Sequence, residues 1–333
     1  MSRALSRDLV APDPALERAV RSRLDEVEDA LHRAVRSETR LVAEAGRYLI
    51  DAGGKRFRPM LALLSGHFGN PEDPRLITGA VAVELTHLAT LYHDDVIDEA
   101  RFRRGIPSVN ARWGNTVAIL TGDFLFAKSS EVASELGREV TKLLAVTIGK
   151  VAEGQIGEVE VAGRVDIDEA TYRHVIGRKT ASLIATSCQV GGILSGADPD
   201  VQGSLARFGE GLGMAFQLSD DIMDLISDEE TLGKEPGVDL KEGVYTLPVI
   251  LALKSDDGDE LRDLLGDEEL EGDRFHRALE IVRSERTLDE AREAVADEVR
   301  GALAEAARLP DGSPREALEH LARFLATRCG AGV

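Results

Sequence analysis

Helical periodicity runs almost unbroken along this chain, and no stretch shows persuasive strand-type alternation. Val20, Leu24, Val27, Leu31 and Val35 recur at intervals of three and four, the spacing that lines one face of an α-helix. Residues 76–93 and much of 117–136 are rich in Ala, Val and Leu, while 181–194 mixes Leu and Ile with Ala, Ser and Gly, which lets helix backbones approach closely. Pro248 follows a polar loop and opens the apolar run from Val249 to Leu253, as proline does in a first helical turn. Only 4% of residues are aromatic against 43% hydrophobic, so the core is built from Ala, Val, Leu and Ile. That favours packed helices over an aromatic-rich sandwich, and the fold class predicted is all-α.

With 333 residues the chain could hold two average domains or one large one. Helix breakers cluster at 51–58, 69–74, 101–107, 196–199 and 227–245, and none of these segments reads as an interdomain linker. A single domain over 1–333 is therefore expected, its motifs lying in about 51–250. The polar stretch 227–245 exceeds the ~12–15 residues beyond which loops in compact domains are commonly functional. The acidic segment 255–273 reads as surface loop and short helix.

The net charge of −20 repels nucleic acid and anionic membrane surfaces, so neither is expected as a partner. Cys188 lies in an apolar stretch and reads as a small core residue, and with Cys329 as its sole companion no disulfide framework is suggested. The opening MSRALSRDLVAPDP is too charged for a secretory signal, and no apolar run reaches the ~18 residues that span a membrane. A cytoplasmic protein without stable membrane insertion is the expectation.

The pattern Asp-Asp-x-x-Asp occurs twice, as Asp94, Asp95, Asp98 and as Asp220, Asp221, Asp224, each at the C-terminal end of an apolar helical run. Residues four apart share a helix face, so Asp94 with Asp98 and Asp220 with Asp224 aim at common points. Like charges within one turn, near a helix C-terminus, destabilise an isolated helix. Hard cations with oxygen ligands offset that cost, and magnesium, which takes one or two carboxylates plus water and bridges to phosphates, suits it. One such cluster in so acidic a chain would read as a solvated face; two with identical spacing read as a metal site.

Basic residues accompany the acids. GGKRFRP places Lys55, Arg56 and Arg58 in a glycine-led segment, Arg103 and Arg104 follow the first cluster, Lys179 heads an apolar helix, and Lys234 follows the second cluster. Together they suggest a phosphate cradle, Arg binding bidentately and Lys as a point charge. His87 lies seven residues before Asp94, on nearly the same face, where it could donate to a second phosphate; His93 reads as structural. Gln217, one turn before Asp221, could orient a carboxylate, a water or a phosphate.

The ordered set GGKRFRP, ELTHLATLYHDD, DDVIDEARFRRG, GDFLFA, RKTASL, FQLSDDIMD, LGKEPGVDL and TLPVI closely resembles the trans-type polyprenyl diphosphate synthases, the isoprenyl chain-elongating enzymes. The resemblance implies an antiparallel helical bundle around a deep apolar cavity, with the aspartate clusters facing each other across its mouth and holding three magnesium ions on an allylic diphosphate. Asp94, Asp98 and Asp220 correspond to direct ligands, and Asp95, Asp221 and Asp224 to further ligands or supports. Arg103, Lys179, Gln217 and Lys234 correspond to contacts of the allylic diphosphate, with Thr180 as helper. Lys55, Arg58, His87 and Arg104 correspond to the isopentenyl diphosphate site. Farnesyl or geranylgeranyl diphosphate as primer and a homodimeric assembly are further implications. Many members carry a lysine two residues before the threonine of TLP, where this chain has Val244, so no phosphate contact is assigned there.

The growing tail is expected to run down the helix of the first cluster. One turn, about 5.4 Å, below Asp94 lie Ala89 and Thr90, and Leu85 and Thr86 lie a turn further. None is aromatic, which predicts a C30–C50 product unless a neighbouring helix supplies the floor. A C15 or C20 synthase, a terpene cyclase and a non-catalytic helical subunit are the alternatives. The second Asp-Asp-x-x-Asp and the isopentenyl-site residues argue against a cyclase, and six retained aspartates argue against a silent subunit.

Overall fold

The structure, a computed structural model, describes residues 13–227, 236–266 and 270–333. Lys234 falls outside them. Helix α1 (Pro14–Ala34) starts on Asp13, whose carboxylate accepts from the N–H of Ala15 at 2.8 Å, with proline in the first turn. It buries Val20, Val27 and Leu31, the stripe its periodicity predicts. Then come α2 (Arg40–Asp51), α3 (Phe57–Ser65) and α4 (Arg75–Ile97), which carries the first aspartate cluster at its end. A minimal hairpin, β1 (Phe102–Arg103) paired antiparallel with β2 (Ile106–Pro107), leads to α5 (Val109–Trp113), α6 (Asn115–Ser134) and α7 (Arg138–Val161). Two-residue strands are too short to leave an alternation in the sequence.

Helix α8 (Glu169–Ile176) runs through a π-helical turn, Gly177–Ala181, into α9 (Ser182–Ser195), and α10 (Pro199–Ile226) bears the second cluster. Short helices α11 (Val238–Lys241), α12 (Leu247–Ala252) and α13 (Gly258–Leu264) precede α14 (Gly272–Val282), α15 (Glu285–Ala306) and α16 (Ser313–Cys329).

Helix α9 is the hub. It packs on α3, α4, α7 and α10, and Leu183, Ile184, Cys188, Val190 and Leu194 bury on different sides of it. A helix apolar all round belongs in the interior. Helix α4 lies along α6, and α10 along α15, with α16 closing over both α10 and α15. The two aspartate helices thus stand on either side of α9. Gly213 fixes how closely α10 approaches: a Cβ there would lie 2.5 Å from the Cα of Ala181. That contact presses α10 onto the π-turn that carries Lys179 and Thr180. Cys188 is fully buried, and no helix among the described residues is long and apolar enough to cross a membrane.

Candidate active site

The first cluster closes α4. Asp95 is fully buried, and Arg103 Nε of the hairpin donates to its Oδ1 at 2.6 Å. Its backbone carbonyl accepts from Ala100 N–H at 2.9 Å and from the Asn110 amide at 2.9 Å, so Asp95 anchors the loop that presents Arg103 and Arg104. Its Oδ2 is buried without a partner. Burial pushes the Asp94 carboxyl up to about 6, against the pull of Lys179 and with the push of neighbouring Asp98. Burial likewise raises Asp98, the cap residue of α4, and here too Lys179 opposes it.

The second cluster faces it from α10. Asp221 is buried, with the Tyr172 hydroxyl donating to Oδ2 and Gln217 Nε2 to Oδ1 at 2.9 Å. Burial drives its carboxyl up to about 8, the two hydrogen bonds pulling the other way. Gln217 in turn accepts from Thr180 Oγ1 at 2.9 Å. Asp220 is half-exposed and paired with Arg328 of α16, whose guanidinium also lies 5.6 Å from the Phe216 ring. Asp224 turns inward, accepting from the N–H of Asp239 at 3.3 Å, while its carbonyl accepts from Gly237 N–H at 2.9 Å. It ties the end of α10 to the start of α11 (Val238–Lys241).

A cavity of about 910 Å³ opens between the clusters. Asp98, Arg103, Lys179, Gln217, Asp220 and Asp221 line it, with Thr180 and Val244 on its wall. Lys179 pairs with Glu158 of α7, which also accepts from the Gln155 amide at 3.0 Å. Glu158 and Gln155 line the cavity too, as do the carboxylates of Glu99, Asp239 and Glu242, so acids outside the two clusters also face it.

The remaining basic residues gather behind Asp94. Burial drives Arg58 down to about 10, with Glu84 and Asp94 opposing and Arg104 reinforcing the shift. Its Nε is buried and unpartnered. His87 lies among Arg58, Arg104, Arg103 and Arg56; burial first, then these four cations, press it well below the ordinary histidine range. Arg104 donates to the backbone carbonyls of Leu49, at 2.6 Å, and Gly53. Glycine is required beside it: Gly53 sits at φ +81°, and a Cβ on Gly54 would lie 2.9 Å from the guanidinium groups of both Arg104 and Arg56. The physical content of GGKRFRP is thus two guanidinium groups folded against bare backbone.

Within that motif the basic residues divide. Arg56, in the left-handed region at φ 47°, turns inward, its guanidinium bound at 2.7 Å by both oxygens of Glu28 and at 3.1 Å by Glu84. Lys55 opens instead onto a separate hollow of about 390 Å³ between α1, α3 and α16, with Asp220 and Arg328 as its charged neighbours. Ala89 is fully buried, and Thr90 is half-buried with its hydroxyl on the carbonyl of His87 at 2.7 Å. One turn below, the Thr86 hydroxyl pairs with Ser129 of α6 at 2.8 Å. His93 packs on α6, its Nε2 lying 3.1 Å from the Ile119 carbonyl.

Sequence reasoning missed Arg328, Tyr172, Glu158 and Gln155. Arg328 lies 108 residues from Asp220, and nothing in its C-terminal helix announces the pairing. Tyr172 precedes Lys179 by seven residues, a helical spacing that gave a faint signal.

The donors suit a hard divalent cation. They are all oxygen, they come from two walls of one cavity, and the unpartnered Asp95 Oδ2 shows the first cluster short of positive charge. Among the described residues no three His, Cys, Asp or Glu close on one point. Magnesium takes few carboxylates and completes its shell with water and substrate oxygens.

Fold and site together define an all-helical transferase with carboxylates and cations ringing a cavity suited to diphosphate esters. A profile of the polyprenyl synthetase family matches residues 39–282. The nonaprenyl diphosphate synthase of Mycobacterium tuberculosis is 39% identical over 322 residues, covering 96% of each chain. Component 2 of the heptaprenyl diphosphate synthase of Geobacillus stearothermophilus is 44% identical over 253 residues, 76% of this chain and 74% of that protein. The crystal structure of a Corynebacterium glutamicum geranylgeranyl pyrophosphate synthase, complexed with calcium and isoprenyl diphosphate, superposes with a TM-score of 0.86 at 42% identity, covering 97% of this chain and all of that one (100%). The chain belongs to the polyprenyl synthetase family and is an enzyme that transfers prenyl groups.

Proposed function

We propose that the enzyme joins isopentenyl diphosphate head-to-tail to an allylic diphosphate, farnesyl or geranylgeranyl diphosphate serving as primer, and extends the product to C30–C50. The observation that carries the reading is one cavity lined by Asp98 of the first cluster and Asp220 and Asp221 of the second, together with Arg103 and Lys179. Asp94, Asp98 and Asp220 would hold magnesium directly, and Asp95, Asp221 and Asp224 would support them. When bound, the metal supplies positive charge to the diphosphate as its allylic C–O bond breaks.

The chain's own residues do the rest. Arg103, Lys179 and Lys234, with Gln217 and Thr180, bind and orient the departing diphosphate, adding fixed positive charge where negative charge develops. Lys179 must leave Glu158 to do so, and Arg103 must share itself with Asp95. Arg58, His87 and Arg104 hold isopentenyl diphosphate behind Asp94, its double bond turned to the allylic carbon, and Lys55, of the same predicted set, must turn in from the outer hollow to join them. Packed helices exclude water while the carbon is electron-poor. New carbon–carbon bond formation is followed by loss of one proton, which the released diphosphate accepts, so no protein base is invoked.

The C30–C50 length rests on Ala89 and Thr90 and on the Thr86–Ser129 pair a turn below, which leave small side chains along α4. The nonaprenyl synthase relative supports it, while the geranylgeranyl relative favours a C20 product. One domain acting as a cytoplasmic homodimer completes the proposal. The unpartnered apolar side chains Ile119 and Leu120 of α6 and Val146 of α7 are its support, since exposed apolar groups of this size favour an interface. Incubation with labelled isopentenyl diphosphate, magnesium and each primer, with products sized by chromatography, tests the reading. A ladder ending at C30 or beyond is expected; a stop at C20 removes the chain-length argument, and no incorporation removes the activity.

A further inference from the structure

The buried tyrosine of α8 has no part in the chemistry above, yet it meets the second cluster. We propose that Tyr172 is a positioning residue for the allylic half of the site, its phenol tying Asp221 of α10 to α8. The inference rests on the reading of the second cluster as part of the allylic diphosphate site.

The geometry is a chain of hydrogen bonds. The phenol O–H donates to Asp221 Oδ2, Gln217 Nε2 donates to Asp221 Oδ1 at 2.9 Å, and Thr180 Oγ1 donates to Gln217 Oε1 at 2.9 Å. Three pieces of the wall are thereby joined: α8, α10 and the π-turn of Lys179. Helices α8, α10 and α12 also touch one another pairwise.

Each link has a physical reason. Tyr172 reaches Asp221 from α8 across the packed contact with α10, where no backbone donor of α10 is left over to serve that carboxylate. Asp221 is 3% exposed and Tyr172 is 5% exposed, so water has little access to stand in for a lost hydroxyl. With both carboxylate oxygens engaged by protein donors, Asp221 acts as an anchor that sets the rotation of α10. That rotation aims its neighbour Asp220 into the cavity and fixes the Gln217 amide over Thr180.

Tyr172→Phe keeps the ring and removes the tether. It is expected to raise the KM for the allylic substrate, and to weaken the binding of magnesium with inorganic pyrophosphate read by calorimetry, on the order of two- to tenfold, the effect of one hydrogen bond to a carboxyl that burial keeps largely neutral. The KM for isopentenyl diphosphate stays at the wild-type value. In a double-mutant cycle, Tyr172→Phe adds nothing once Asp221→Asn is present. Equal rises in both KM values, an unchanged allylic KM, or additive effects in the cycle would each overturn the role of Tyr172. Wild-type protein that neither binds magnesium with pyrophosphate nor elongates a primer would instead overturn the site reading beneath it.

Discussion

His87 offers the sharpest test of how isopentenyl diphosphate is held. Burial and the surrounding Arg58, Arg104, Arg103 and Arg56 press its imidazole well below the ordinary range, so at neutral pH it is uncharged. It then serves as a neutral N–H donor in a pocket whose positive charge comes from arginine. One hydrogen bond to a charged group is worth ~1.5–3 kcal/mol, roughly ten- to a hundredfold in affinity. His87→Ala should raise the KM for isopentenyl diphosphate by that factor and leave the allylic KM alone. His87→Gln supplies a neutral N–H from an amide and should recover most of the loss. Steady-state kinetics with each substrate varied in turn would read this, at several pH values between 6 and 8. His87→Gln serves as the reference at each pH, so that ionisation of the substrate phosphate cancels. If glutamine does no better than alanine, or if wild-type affinity relative to His87→Gln falls as pH rises through this window, the group is an imidazolium and the reasoning is wrong.

Further outcomes follow from the same structure. Thr90→Phe should shorten the product without abolishing turnover, read as a chromatographic ladder ending earlier than in wild type; overpacking beside buried Ala89 should cost ~1–3 kcal/mol of stability. The Asp94 carboxyl stands at about 6 in the folded protein, so magnesium–pyrophosphate affinity should fall as pH drops below 6, by up to roughly tenfold per unit, and Asp94→Asn should flatten that slope. Because the folded state holds His87 below its unfolded value of 6.5, the unfolded chain gains a proton first as pH falls. The His87 contribution therefore falls below pH 6.5, by up to ~1.4 kcal/mol per unit, against an opposite contribution from Asp94 and Asp221, which take up protons first in the folded state; in thermal melts His87→Gln should gain stability relative to wild type as pH falls. Arg56→Met should destabilise the fold by ~3–5 kcal/mol by stranding buried Glu84, with a lesser loss when Glu84→Leu is added.

What the sequence made legible was what short-range spacing encodes. The i, i+4 aspartates share helix faces, and the apolar run of 181–194 is the buried hub α9. The hidden part is where long-range packing chooses among equivalent residues. Lys55, Arg56 and Arg58 look alike as letters, yet a left-handed turn at Arg56 sends one to a buried acid pair, one to an outer hollow and one to the pocket behind Asp94. Similarly, Asp220 and Asp221 are neighbours in the chain but point to opposite duties, one to the cavity and Arg328, the other to Tyr172. No local pattern predicts that, because the partners come from helices α16 and α8.

The resting ion pairs also sort architecture from working parts. Arg103 with Asp95, Lys179 with Glu158, and Arg328 with Asp220 each have at least one partner partly open to solvent. Opening the Lys179 and Arg328 pairs costs little, because water and an incoming phosphate replace the lost carboxylate. Arg56 with Glu84 is different: both side chains are sealed, at 8% and 2% exposure, and parting them would strand a buried charge, as parting Arg103 from fully buried Asp95 would. A diphosphate can therefore exchange places with Glu158 and Asp220 while Arg103 stays on Asp95 and the Arg56 network stays fixed. The acids that neutralise these cations at rest keep a chain of net charge −20 from burying bare positive charge. The arriving substrate takes over that neutralising role, so the cost of holding cations ready is met by the fold before binding begins.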